Sequence, residues 1–146
     1  MNALHQSSRP GILGVIAAAI VSLAAYSGMA FGDSIKVTLS GDQEVPAVKT
    51  SAAGSGTITI NADKTVSGSV TTSGVEGTMA HIHIAAAGKN GPVIIPLTKG
   101  ANGAWSVGAG AKLTDAQYDA YKAGGLYVNV HSAANKGGEI RGQLKP

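Results

Sequence analysis

The sequence predicts an all-β protein, specifically an antiparallel β-sandwich of the immunoglobulin-like or Greek-key type with about eight strands and one short helix. After the first thirty or so residues, Gly, Ala, Thr, Val and Ile dominate the chain. Apolar residues recur there mostly with a period of two, and glycine-rich turns separate the runs, as is typical of short strands. The predicted strands are Ile35–Leu39, Thr57–Ile60, Val66–Thr71, Thr78–Ile84, Val93–Leu97, Ala104–Val107, Leu126–His131 and Glu139–Leu144.

One segment, Leu113–Gly125, departs from the strand pattern and predicts a helix of about three turns. Thr114 can cap the first free amides while Gln117 returns a hydrogen bond to the cap, and a glycine pair ends the segment. Tyr118 and Tyr121 lie three residues apart on one helix face, so we expect both rings to pack against the sheet.

The amino-terminal segment 1–32 is predicted to be a secretory signal peptide. A short positively charged region precedes the apolar run Gly11–Tyr26, and small residues then allow cleavage before Phe31 or before Asp33. An uncleaved membrane anchor is the alternative, although the run is short for a membrane span. Residues 33–146 then form one β-sandwich domain, and we expect the protein to be periplasmic or secreted.

Composition excludes several classes of function. The formal net charge is +3 and the lysines are scattered singly, so neither a nucleic-acid-binding surface nor a basic membrane-binding patch is predicted. The only predicted membrane contact is through the signal peptide. The chain has no cysteine, so an exported domain of this size depends on packing and sheet hydrogen bonds rather than on disulfides.

Three histidines remain when the predicted signal peptide is set aside, and all three lie on polar faces of strands. Alternation in Ala80–Ile84 places His81 and His83 on one face and the apolar residues on the other. Leu126–His131 repeats the pattern, with His131 on the polar face. If the two strands are neighbours, three neutral imidazoles face one another, which suits copper or, less well, zinc, with a coordination position left for water or a small ligand.

The alternative is that these histidines are surface or structural groups hydrogen-bonded to the backbone. Asn129 shares the polar face of His131, and Glu139 and Arg141 alternate on the last strand. These three residues are candidates for holding the metal ligands from behind, since a ligating imidazole usually donates its other N–H to an oxygen. Glu139 and Arg141 can instead pair with each other or form an ordinary solvated face. Met79 is placed on the face opposite His81 and is therefore assigned to the core.

At these residues the chain resembles the CHRD (chordin-type) domain family, as a single-domain bacterial exported member. The resemblance covers about Lys36 to Leu144 and implies a β-sandwich-like module without supplying a reaction. His81, His83, Asn129, His131, Glu139 and Arg141 all match family motif positions. The motifs that carry it are Leu39–Pro46, Ala80–His83 with Asn90–Val93, Gly125–His131 and Gly138–Leu144.

Three functions remain open at this point. The first is transition-metal binding, with copper favoured, through His81, His83 and His131. The second is a non-catalytic envelope or extracellular module that binds a protein or polysaccharide, and the third is a redox activity like that of superoxide dismutase. The sequence shows no nucleophile elbow and no phosphate-binding loop, so an enzyme is less expected than a binding protein.

Overall fold

The computed structural model describes residues 32–146. Residues 1–31 lie outside this range, so the predicted signal peptide remains a prediction. Eight strands and one α-helix occupy the described range. The strands are β1 (Asp33–Ser40), β2 (Ala53–Ile60), β3 (Val66–Ser73), β4 (Gly77–Ile84), β5 (Val93–Lys99), β6 (Ala104–Val107), β7 (Leu126–Ser132) and β8 (Ile140–Leu144), with helix α1 (Asp115–Lys122) between β6 and β7.

The strands form a closed antiparallel barrel rather than the predicted sandwich. Their order around the barrel is β1-β2-β3-β6-β5-β4-β7-β8, and pairing of Ser40 with Arg141 joins β8 back to β1. All eight predicted strands are confirmed, but the predicted sandwich arrangement of these strands is wrong. Alternation of polar and apolar residues is the same in a sandwich and in a barrel, so the sequence pattern cannot distinguish them.

The barrel interior is filled by the apolar side of every strand, as expected for eight strands. β1 shows why these residues form a strand, because Ile35, Val37 and Leu39 are buried while the residues between them are exposed. The other strands supply a matching set. Side chains at most 1 % exposed in this core include Ile58, Ile60, Val70, Ala80, Ile82, Leu126, Val128, Val130, Ile140 and Leu144.

Helix α1 is confirmed but is shorter than predicted, at eight residues. Its capping box is formed as expected: the Thr114 hydroxyl accepts from the Gln117 amide, and the Gln117 side chain accepts from the Thr114 amide. Tyr121 is fully buried and Tyr118 packs against the core from its edge. No helix within residues 32–146 is long and apolar enough to cross a membrane.

The outside of the barrel differs from wall to wall. On β2 and β3 the outward residues are mostly exposed, whereas every residue of β7 is buried on both faces. The loop that follows β1, which contains Glu44, and the loop between β4 and β5, which contains Gly91, make hydrogen bonds to outward side chains of β7 and β8. Two loops therefore cover one wall of the barrel and leave another open to solvent.

The assignment of Met79 to the core is wrong. Met79 lies two residues before His81 in β4 and shares its outward direction, while Ala80 between them is 1 % exposed and points inward. The Met79 side chain is 53 % exposed. The prediction placed Met79 on the face opposite His81, but residues two apart in a strand share a face, so Met79 points outward with His81.

Candidate metal centre

The three predicted histidines meet on the covered outer wall, where β4 and β7 are neighbours. In the strand register His81 lies opposite Asn129 and His83 lies opposite Tyr127, with His131 one rung further along β7. The ring centroids of the three histidines are 5.0 to 5.8 Å apart. His83 and His131 are each 7 % exposed, and His81 is partly exposed. The predicted convergence of the histidines is therefore present in the fold.

His83 is held by one of its ring nitrogens, which leaves the other available as a ligand. Its Nδ1 lies 2.9 Å from the carbonyl oxygen of Gly91, which can only accept, so Nδ1 carries the hydrogen. In the neutral ring Nε2 then has a free lone pair. This Nε2 is buried and has no hydrogen-bond partner within residues 32–146. A buried acceptor without a partner is costly, and a bound metal ion would satisfy it.

Gly91 and Tyr127 together fix this orientation of His83. The Tyr127 ring stacks on the His83 ring with centroids 4.8 Å apart and planes 6° apart. The amide of Gly91 donates to the Tyr127 hydroxyl at 3.1 Å, while the carbonyl of the same residue accepts from His83. A Cβ at Gly91 would lie 1.8 Å from the carbonyl oxygen of Ile84, so only glycine fits this approach of the loop to β4.

His131 is held in the same way from the opposite side of the cluster. Its Nδ1 lies 2.9 Å from the carbonyl oxygen of Lys136, which leaves Nε2 as the acceptor of the neutral ring. That Nε2 lies 3.1 Å from Nδ1 of His81. Without a metal, His81 donates this hydrogen bond to His131. With a metal, both nitrogens can direct lone pairs at the same ion.

Electrostatics favour the neutral, metal-binding form of two of the rings. Burial is the main factor that lowers the pKa of His81, and the neighbouring His131 and His83 lower it further. Burial also lowers the pKa of His83, against an opposing effect from the hydrogen bond to Gly91. Both rings are therefore neutral at physiological pH, as ligation requires.

The spacing of the nitrogens fits a single transition-metal ion. One ligand nitrogen from each histidine lies within 4.8 Å of the other two. Two imidazole nitrogens that each bind one ion at about 2.0–2.1 Å are about 2.9–3.4 Å apart. The His81–His131 pair, at 3.1 Å, already has this separation. The His83 ring needs a movement of about 1–2 Å at most to complete the set.

The three residues predicted to support the ligands make hydrogen bonds elsewhere. The Asn129 amide donates to Glu44 and, at 3.0 Å, to the carbonyl of Ile140. Glu139 accepts a 2.7 Å hydrogen bond from Thr50. Among the hydrogen bonds within residues 32–146, none joins Asn129, Glu139 or Arg141 to a histidine.

Arg141 does not contact a histidine of the described residues by a hydrogen bond, but it packs against Tyr127, the ring that stacks on His83. Its guanidinium carbon lies 4.0 Å from the centre of the Tyr127 ring, and Tyr127 in turn stacks on His83. The strand order β4-β7-β8 places His83 and Arg141 on either side of Tyr127. Arg141 pairs with Glu44 at 3.0 Å and not with Glu139, and both members of the pair are almost fully buried.

Glu44, Tyr127 and Gly91 are the site residues that the sequence interpretation did not identify. Burial raises the pKa of the Glu44 carboxyl, while Arg141 and Asn129 oppose this effect. Glu44 belongs to the motif Leu39–Pro46 that carries the family resemblance, and its acidic side chain within that motif was an available signal. The pairing of Gly91 with Tyr127 joins residues far apart in the chain, so local sequence gave no indication of it.

These features define the class of protein. It is a closed antiparallel barrel whose covered outer wall carries a three-histidine cluster and, on the same wall, a buried ion pair between Arg141 and Glu44. The CHRD domain family model matches residues 35–144, and the chain belongs to this family. The predicted resemblance is confirmed. No curated protein and no solved structure matches the chain.

Proposed function

We propose that this chain is an exported CHRD-domain protein that binds one transition-metal ion, copper in preference to zinc, through His81, His83 and His131. The observation that carries the proposal is the convergence of three imidazole nitrogens within 4.8 Å. Two of the rings are turned toward the cluster by carbonyl acceptors on their Nδ1 atoms. Such outer hydrogen bonds fix the orientation of histidine ligands in metal sites.

The preference for copper rests on the ligand chemistry. Nitrogen sites bind Cu²⁺ more tightly than Zn²⁺ in the general order of divalent affinities. No thiolate is available, because the chain has no cysteine. The three imidazoles leave a coordination position for water or a small ligand on the side of the partly exposed His81. We assign Tyr127 and Gly91 the role of orienting His83, and Arg141 and Glu44 the role of holding the covering loop.

Export is part of the proposal and rests on the sequence of residues 1–32, a charged start followed by an apolar run and small residues. The domain 33–146 would then be periplasmic or extracellular. Elemental analysis of protein purified from the periplasm and the culture medium tests both points. Copper at about one equivalent in an amino-terminally processed chain supports them, whereas an unprocessed chain recovered from the cytoplasm contradicts export.

Titration of the full chain with Cu²⁺, followed by electron paramagnetic resonance, tests the site itself. We expect one equivalent with a nitrogen-ligand spectrum that changes in His83→Ala and in His81→Asn. The second variant alters a partly exposed ring and guards against loss of folding. Lys36→Ala is the control, because it changes an exposed side chain on β1 that is not part of the histidine cluster. A spectrum equal to that of aqueous copper, or one unaffected by both site variants, rejects the metal site.

A second function is favoured by one observation, the direct 3.1 Å hydrogen bond between His81 and His131. This bond satisfies both nitrogens without a metal, as expected if the cluster is only a scaffold in a module that binds an envelope protein or a polysaccharide. Thermal unfolding with and without copper separates the two functions. Equal melting temperatures at saturating copper favour the scaffold, and an increase favours the metal site.

A further inference from the structure

Met79 lies beside the histidine cluster and is exposed, which is unusual for a large apolar side chain. Within residues 32–146, the two large hydrophobic side chains that remain well exposed are Met79 at 53 % and Val93 at 47 %. Both lie opposite a site histidine in the strand register. Met79 is paired with His131 across β4 and β7, and Val93 is paired with His83 across β4 and β5.

The position of Met79 in β4 places it on the same face as the metal ligands. It lies two residues from His81, about 7 Å along the strand, and directly across from His131, where Cβ atoms are about 4.5–5.5 Å apart. His81 and His131 are the pair whose nitrogens already have the spacing of metal ligands. The Met79 side chain has three rotatable bonds and is not fixed in the core, so its sulfur can turn toward this pair.

Met79 is also the source of soft ligand chemistry in this part of the molecule. The chain has no cysteine and three methionines, of which Met79 is the one within residues 32–146. Thioether sulfur selects Cu⁺, whereas imidazole serves both oxidation states of copper. A histidine cluster with an adjacent exposed thioether therefore offers each state a suitable ligand set.

We propose that Met79 is a fourth copper ligand, whose thioether sulfur binds Cu⁺ together with His81 and His131. This inference rests on the proposed function, since it requires copper at the histidine cluster. Cu²⁺ is held by the three imidazoles alone. The exposure of Met79 follows from this role, because a side chain buried in the core cannot approach an ion on the outer wall.

X-ray absorption at the copper edge of the anaerobic, ascorbate-reduced full chain tests the assignment. We expect a sulfur neighbour at about 2.3 Å, the usual metal–sulfur distance. The sulfur signal is lost in Met79→Leu, which preserves size and hydrophobicity. It is retained in Val93→Ala, the matched control, because Val93 is equally exposed and faces a site histidine but has no donor atom.

Competition with a chromophoric Cu⁺ chelator gives the affinity. Loss of even an outer-shell partner weakens metal binding by about 10–100-fold, so we expect Met79→Leu to bind Cu⁺ at least about tenfold more weakly. Its Cu²⁺ affinity stays within about twofold of the unmodified chain, because the imidazoles are unchanged. An equal loss for both oxidation states would indicate a structural effect and overturn the assignment.

The outcomes distinguish this inference from the function on which it rests. Copper bound through nitrogen alone in both states, with Met79→Leu unaltered, overturns the role of Met79 and leaves the histidine site standing. A sulfur signal that persists in Met79→Leu assigns the ligand to Met1 or Met29 and also overturns it. Failure of the unmodified chain to bind copper in either state overturns the histidine site and the inference together.

Discussion

Outward-facing polar residues are exposed to solvent on one wall of the barrel and buried on another. On the wall formed by β1, β2 and β3, outward side chains such as Lys36, Thr57 and Ser69 are exposed. On the wall formed by β4, β7 and β8, Asn129 is 1 % and Arg141 is 3 % exposed, although both also point away from the core. Strand alternation is equal on the two walls, so the covering loops make the difference.

This contrast places the buried polar groups on the same wall as the proposed metal site. Polar groups on an open wall remain hydrated, and their presence there needs no further explanation. Buried polar groups lose hydration, which is a net cost unless each finds a partner. On the covered wall a buried ion pair, a buried amide and three imidazoles share one small region. Replacement of a buried ion pair by apolar residues is often neutral or stabilising, so stability alone does not account for the polar groups of the covered wall.

The largest expected effect comes from breaking the ion pair on the covered wall. Arg141→Ala leaves Glu44 buried without its cation, and removal of one partner of a buried pair lowers the free energy of unfolding by about 3–5 kcal/mol. Lys36→Ala, which removes an exposed charge from the open wall, changes it by about 0.5 kcal/mol or less. Urea unfolding of both variants measures the difference. A loss below about 1 kcal/mol for Arg141→Ala contradicts the contrast between the walls.

The next effect concerns metal affinity and the ring that supports His83. Tyr127→Ala removes the stacked ring, and we expect about 10–100-fold weaker copper binding, as for other groups that orient metal ligands. Tyr127→Phe retains the stack and loses the hydroxyl that accepts from Gly91. Copper titration of both variants should therefore rank them with Phe closer to the unmodified chain. Equal losses would show that the hydroxyl, rather than the stack, orients His83.

Much of the fold could be predicted from sequence because its signals are local. The period of two located every strand, and the capping residues Thr114 and Gln117 located the helix start. Barrel closure was not predicted, because it depends on the pairing of β1 with β8, the first and last strands of the described residues. The local sequence pattern of a strand does not indicate which other strand it pairs with.

The candidate site was predictable to the same extent. His81, His83 and His131 were recognised because strand alternation places them on polar faces. Their convergence was conditional on the two strands being neighbours, and the pairing of β4 with β7 meets that condition. The partners of Asn129 and Arg141 were missed, since both contact Glu44, which arrives on a loop more than eighty residues away. Contacts made by loops depend on the final fold rather than on strand periodicity.

A smaller effect is expected on the pH dependence of stability, through Glu139 at the edge of the covered wall. Hydrogen bonds from Ser132 and Thr50 lower the pKa of Glu139 below its ordinary value of 4.5. A carboxyl with a lowered pKa in the folded state adds stability above about pH 4.5, and this is lost as the pH falls toward the lowered value. Glu139→Gln should therefore be less stable than the unmodified chain at about pH 7, and this difference should shrink as the pH falls below 4.5. Urea unfolding across this range checks it, and a difference independent of pH contradicts it.

The smallest effect is expected on the open wall, where polar contacts are also present but remain hydrated. The hydroxyls of Ser34 and Thr59 lie 3.2 Å apart across β1 and β2, in an exposed position. Thr59→Val retains the branched shape that suits a strand and removes only this contact. Because water replaces the lost partner of Ser34, the free energy of unfolding should change by about 0.5 kcal/mol or less. Thermal unfolding measures this shift. A loss of about 2 kcal/mol or more, comparable to that of a buried hydrogen bond, would show that the open wall also depends on its polar residues and would remove the distinction between the two walls.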